Sequence, residues 1–209
     1  SEQAKYDVLH ELREKQEQFQ QAIVQALGVT LSASVGSVSP AAPGRGGVAP
    51  VDSLPYVVPG QEFAVSIHVN NPGDAPIEIK RMWIETPGSG NWTATPSAPI
   101  PARMNPGDAL DPQFRVHVSD DAAPTRPYFS RPNDGQPYYD AADSRYQYLP
   151  LSAYPVSAWV EFVVNGAEVR TGQVVQTARQ VTGMGTVMNP LMVAPAVSVR
   201  ISPQAGVTP

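Results

Sequence analysis

The sequence predicts a mainly β fold: an immunoglobulin-like antiparallel β-sandwich with one N-terminal helix and a long Pro/Tyr-rich loop inserted between strands. Three observations carry this expectation. A single helical apolar stripe at the start is followed by about seven short alternating segments with turn residues between them. Asn165-Gly166 lies between two of those segments, and this pair is the strongest short-range hairpin signal because both turn positions need positive φ. Between two other segments, residues 120–155 hold six of the eight tyrosines of the chain among repeated prolines. Proline removes backbone donors and forbids a continuous helix or a central strand there.

The helix is expected over Glu2 to Leu27, where Leu9, Leu12, Phe19, Ile23 and Leu27 recur at three- or four-residue steps against Glu, Lys, Gln and Arg. Gly28 supplies the residue that closes such a helix. The apolar stripe is expected to cover the flank of the domain or to join it to a preceding one. Val29 to Val38 reads as a first strand, and Ser39 to Asp52 has the Pro/Gly/Ala composition of a linker. Gln61 to Asn70 alternates cleanly, with Phe63, Val65, Ile67 and Val69 on one face. Ile77 to Thr86 follows, with its alternation slipping near Met82-Trp83 as at a bulge. Trp92 to Thr95 is a short strand, and Gln113 to Val118 turns Phe114, Val116 and Val118 inward.

Beyond the Pro/Tyr-rich loop, Ala158 to Val164 and Ala167 to Gln176 form the Asn-Gly hairpin. Thr182 to Pro195 reads as loop whose Met184, Met188 and Met192 fill gaps. Ala196 to Ser202 alternates again. The expected organisation is therefore a helix at 1–28 leading from an upstream domain and a sandwich at 29–195 carrying the loop 120–155. Residues 196–209 supply the last strand or the start of a following domain. The chain opens without methionine, inside a helical pattern, and is expected to be a piece of a longer protein.

Composition narrows the function. Fourteen basic and 19 acidic residues give a formal net charge of -5 with no dense basic cluster, so neither a nucleic acid nor a membrane surface is an expected partner. No cysteine is present, which removes disulfides, thiolate nucleophiles and Cys-ligated zinc. His68 and His117 occupy polar phases of their strands. Asp120, Asp121, Asp134, Asp140 and Asp143 match no EF-hand spacing, and no GxSxG elbow is present. No catalytic, cofactor-binding or metal-ligating residue is assigned, and no cofactor is expected. Asn91-Trp92-Thr93 matches a glycosylation sequon, a tripeptide too common to weigh.

The feature with binding character is the loop. Its aromatic content sets it apart from disordered tracts, which lack apolar area to bury. Tyr128, Phe129, Tyr138, Tyr139 and Tyr146, interleaved with Arg126, Arg131 and Arg145 and followed by Asp140, are the candidate ligand or interdomain contacts. Two readings compete: rings that pack the loop onto the sandwich, as in a structural spacer, or rings that stand out and stack on a glycan.

The run ELREKQEQFQQAIVQALGV, then PYVVPGQEF, APTRPYFSRP with QPYYD, AWVEFVVNG and GQVVQ resembles the region downstream of the catalytic domain in large bacterial PIG-L (LmbE-like) N-acetylglucosaminyl deacetylase family proteins. The resemblance spans essentially the whole chain, and the string TRPYFSRP…QPYYD is its most specific part. The family's zinc-binding His-Pro-Asp-Asp motif is missing. Ser119-Asp120-Asp121 is the nearest string and lacks the His-Pro half, so no catalytic residue is carried over. What the resemblance implies is a non-catalytic accessory or interdomain module, other domains of the same parent chain as partners, and an extracytoplasmic location.

Overall fold

A computed structural model of the chain describes residues 2–36, 54–86, 91–141, 143, 146, 153–197 and 199. The expected linker Ser39 to Asp52 lies outside the described residues, as do Arg145, Tyr148 and most of the alternating segment after Pro195.

Helix α1 spans Glu2–Leu27 and ends where Gly28 takes a φ of 70°. Strand β1 (Thr30–Val35) follows at once. Next come β2 (Glu62–Asn70), β3 (Ile77–Glu85), β4 (Thr93–Pro96), the two-residue strands β5 (Arg103–Met104) and β6 (Ala109–Leu110), and β7 (Gln113–His117). The loop contributes β8 (Phe129–Ser130) and β9 (Asp140–Ala141); β10 (Ser157–Val164), β11 (Ala167–Val174), β12 (Gln176–Val181) and β13 (Gly185–Pro190) complete the order.

These strands form a mainly β, sandwich-like body of two larger sheets and one small hairpin. The larger sheet runs β13-β12-β1-β2-β7-β4 with β6 also on β2, the second runs β11-β10-β3-β5, and β8 pairs with β9 alone. Pairing is antiparallel except between β1 and β12. Val65, Ile67, Val69, Phe114 and Val116 from one sheet and Ile77, Ile79, Val160, Phe162 and Met104 from the other belong to one buried core. The alternation expected of β2 is therefore the alternation that the core uses, and burying such side chains removes apolar area worth about 25 cal/mol per Å². In the β10–β11 hairpin Asn165 and Gly166 adopt φ values of 49° and 83°, as a tight two-residue turn requires.

The bulge expected near Met82-Trp83 is present and sits at Lys80, since Glu161 pairs with Arg81 and Phe162 with Ile79. Three other expectations are corrected. The segment read as loop from Thr182 contains β13, which pairs with β12 from Gln176↔Pro190 to Val181↔Gly185. Its methionines fill no gaps, because Met184, Met188 and Met192 are all exposed. The helix covers the domain only with its last turns: Ile23, Val24 and Leu27 pack against the core, while Leu9, Leu12 and Phe19 stay exposed.

Two local devices hold the sheets. Asn71 is fully buried, and its Nδ2 donates to the carbonyls of Ala75 at 2.9 Å and Asn105 at 3.2 Å. Its backbone N–H donates to Asp108 O, and its own carbonyl accepts from Gly107. One side chain thus ties the turn after β2 to the segment between β5 and β6. On the outer face of the smaller sheet, Trp159 lies opposite Trp83 on β3 and opposite Gly172 on β11. The two indoles stack with centroids 6.1 Å apart. The Arg81 guanidinium lies 4.1 Å from the Trp83 ring centre, and that of Arg170 4.9 Å from Trp159. Arg81 also pairs with Glu161 at 3.1 Å. The row needs glycine at 172, because a Cβ there would sit 2.5 Å from the Trp159 ring.

Asn71→Ala should lose about 1 to 3 kcal/mol, since it removes two part-buried hydrogen bonds; an unchanged urea midpoint would remove Asn71 from this role. Gly172→Ala should cost about 1 to 3 kcal/mol through overpacking and shift the tryptophan emission as the Trp159 ring is displaced. An unshifted spectrum at parental stability would contradict the ring placement.

Candidate functional site: an aromatic hairpin loop

After β7 the chain leaves the sandwich at Val118, which is fully buried and whose N–H donates to Gln61 O. A turn at Ser119–Ala122 follows, closed by Ala122 N–H on Ser119 O and by the Ser119 hydroxyl on the Asp121 carboxylate. The loop is then pinned at one point by reciprocal bonds. Thr125 N–H donates to Val193 O at 2.9 Å, and Val193 N–H donates to Thr125 Oγ1 at 2.9 Å. Val193 in turn bridges to Val57, so the strap is fastened to an inner part of the fold. Prolines at 124, 127, 132 and 137 cannot donate to a ladder, which limits regular pairing to the short β8–β9 ladder.

This hairpin pairs Phe129 with Ala141 and Ser130 with Asp140, and it brings five of the candidate residues together. Tyr128 meets Phe129 edge-on at 5.3 Å, Phe129 meets Tyr139 edge-on at 5.3 Å, and Tyr128 meets Tyr146 at 6.1 Å. The Arg131 guanidinium lies 5.7 Å from the Tyr139 ring centre and 3.6 Å from Asp134. The edge-on arrangement follows from the ring quadrupole, negative on the face and positive at the rim. Arg126, Tyr138 and Asp140 stay outside this chain of ring contacts, all three exposed.

The rings of Tyr128, Phe129, Tyr139 and Tyr146 pack on one another. Tyr128 and Tyr146 are half-buried, whereas Phe129 is 45%, Tyr138 64% and Tyr139 61% exposed. The result is an apolar knob with phenolic hydroxyls and a guanidinium at its margin. Phe129 and Tyr139 stand at 79° to each other, so they do not form one flat platform.

His68 Nδ1 lies 2.7 Å from Asp111 Oδ1, both exposed. Among the described residues no three His, Asp or Glu side chains are placed to hold a metal ion. The Trp83–Trp159 row was not visible in the sequence, because it depends on the β3–β10 register; the signal was two strand tryptophans, each two positions from a charged residue.

No family model matches the chain, and no curated protein matches it. Among solved structures, a match is the secreted serine protease VesC from Vibrio cholerae, at 12% identity and a TM-score of 0.32. It covers 71% of this chain, which spans 23% of the length of that protease. At that TM-score the likeness carries no argument about function.

Tyr138→Ala should leave stability within about 0.5 kcal/mol of the parent, as for surface positions, while Phe114→Ala in the core should lose about 3 to 5 kcal/mol. Urea midpoints of the two variants, measured side by side, check the contrast; a large loss for Tyr138→Ala would place its ring in a packed site.

Proposed function

We infer that the chain is a non-catalytic accessory module, an immunoglobulin-like sandwich that presents its aromatic hairpin to another domain of the same parent protein. The observation that carries this reading is the exposure of Phe129, Tyr138 and Tyr139 on an ordered hairpin. Exposed tyrosine beside arginine is the composition of interface hot spots, since these side chains bring large area at low entropy cost. A ring cluster that only glued its loop to the sandwich would bury these three residues. The resemblance to the region beside the catalytic domain of PIG-L (LmbE-like) deacetylases supplies the neighbour: a zinc-dependent N-deacetylase domain, in an extracytoplasmic protein, which the module positions.

The second reading is a carbohydrate-binding module that uses the same rings. Tyr138 and Tyr139, side by side and exposed, favour it, and the edge-on geometry of Phe129 and Tyr139 weighs against it, because stacking on sugar rings calls for coplanar faces.

Isothermal titration separates them. The chain should bind the separately produced deacetylase domain of its parent protein, and the double variant Tyr138→Ala with Tyr139→Ala should weaken that binding about tenfold or more. Binding of N-acetylglucosamine oligosaccharides, with none to the domain, would select the carbohydrate reading. Binding to neither would sink both.

A further inference from the structure

Helix α1 carries more apolar surface than its domain covers. Gln20, Ile23, Val24 and Leu27 are its partly buried residues. A second stripe, formed by Val8, Leu12, Phe19, Ala22 and Ala26, lies about 100° around the helix from that side at 100° per residue. Val8 is 58%, Leu12 61% and Phe19 69% exposed, and both alanines are exposed. The packed side borders a polar cleft shared with Glu168 and Arg170 of β11, so the second stripe faces away from the sandwich and is open to a partner.

The spacing of that stripe specifies the partner's form. Positions 8, 12, 15, 19, 22 and 26 of the chain alternate steps of four and three, which is the seam of a two-helix coiled coil. Within positions 8 to 26 one seam position is charged, Lys15, which meets Gln18 Oε1 at 2.9 Å. Glu11 flanks the seam one turn earlier. We propose that α1 pairs antiparallel with α1 of a second copy of this chain, with Val8 against the partner copy's position 19 and Lys15 beside its position 11. Charge selects this orientation. An antiparallel pair brings lysine to glutamate twice, whereas a parallel pair sets lysine against lysine at the same level. A bare stripe of this size on an otherwise charged helix needs such a cover, because isolated helices are marginal in water and draw their stability from a packed face.

Sedimentation equilibrium of the 209-residue chain should show a concentration-dependent dimer. Leu12→Glu and Phe19→Glu should each raise its Kd about thirtyfold or more, with the thermal midpoint of the sandwich unchanged because both side chains are exposed. The absence of cysteine gives a second readout. Val8→Cys and Phe19→Cys, mixed and mildly oxidised, should form an 8-to-19 cross-link, while neither links to itself, since like positions then sit about 16 Å apart along the axis. A monomer at all concentrations overturns the proposal, as does a dimer indifferent to both glutamate variants. Self-linking of Val8→Cys overturns the antiparallel orientation.

Discussion

Most of this structure depends on the two-sided alternation of β10. Its residues Ala158, Val160, Phe162 and Val164 face inward and are buried, while Ser157, Trp159, Glu161 and Val163 are half-exposed on the other side. As an interior strand between β11 and β3, it sets the level at which both neighbours stand. The inward set closes the core against the larger sheet. The outward set aligns Trp159 with Trp83 and Glu161 with Arg81. A slip of one residue would exchange the two faces, placing Glu161 in the core and Phe162 in water. The extra residue at Lys80 is how β3 accommodates this register: the bulge lets Ile79 and Met82 both turn inward.

The aromatic loop obeys a different constraint. Where proline removes donors, a strap cannot be held by a ladder, so it is held by a few specific bonds and by contacts among its own side chains. Thr125 and Val193 provide the fixed end, and β8–β9 gives the rings a common base. Rings that meet edge-on stiffen such a hairpin without touching the core. At its start the loop joins the core through the buried Ala122.

Sequence periodicity was sufficient where one side of an element is buried and the other wet. Glu2–Leu27, β2, β7 and the β10–β11 hairpin follow from the spacing of apolar residues and from Asn165-Gly166. It failed where burial is weak. In β12 only the neighbours Thr177 and Ala178 are buried, and in β13 no residue is, so no alternation marks a hairpin whose turn lies among Thr182, Gly183 and Met184. It also failed where identity does not fix direction. The apolar stripe of α1 and the tyrosines of the loop are both readable as surfaces to be covered, yet what covers them depends on where the sheets end. The candidate residues Tyr128, Phe129, Arg131, Tyr139 and Tyr146 were legible as a group by composition; that their partners are one another was not.

The consequence is a separation of the packed core from the exposed apolar surfaces. The core is drawn from the two sheets and the last turns of the helix, and Asn71 locks the turns between them. Among the described residues, the exposed aromatic side chains include Phe129, Tyr138 and Tyr139 on the β8–β9 hairpin and Phe19 on the outer stripe of α1, none of them part of the core. Substitutions on those surfaces can change what the molecule touches while its sheets stay folded, because exposed side chains contribute little to the folding balance and much to an interface once water is excluded. A domain arranged in this way can carry two contact surfaces, one presented by a loop and one by a helix, on a sandwich whose own packing answers to neither.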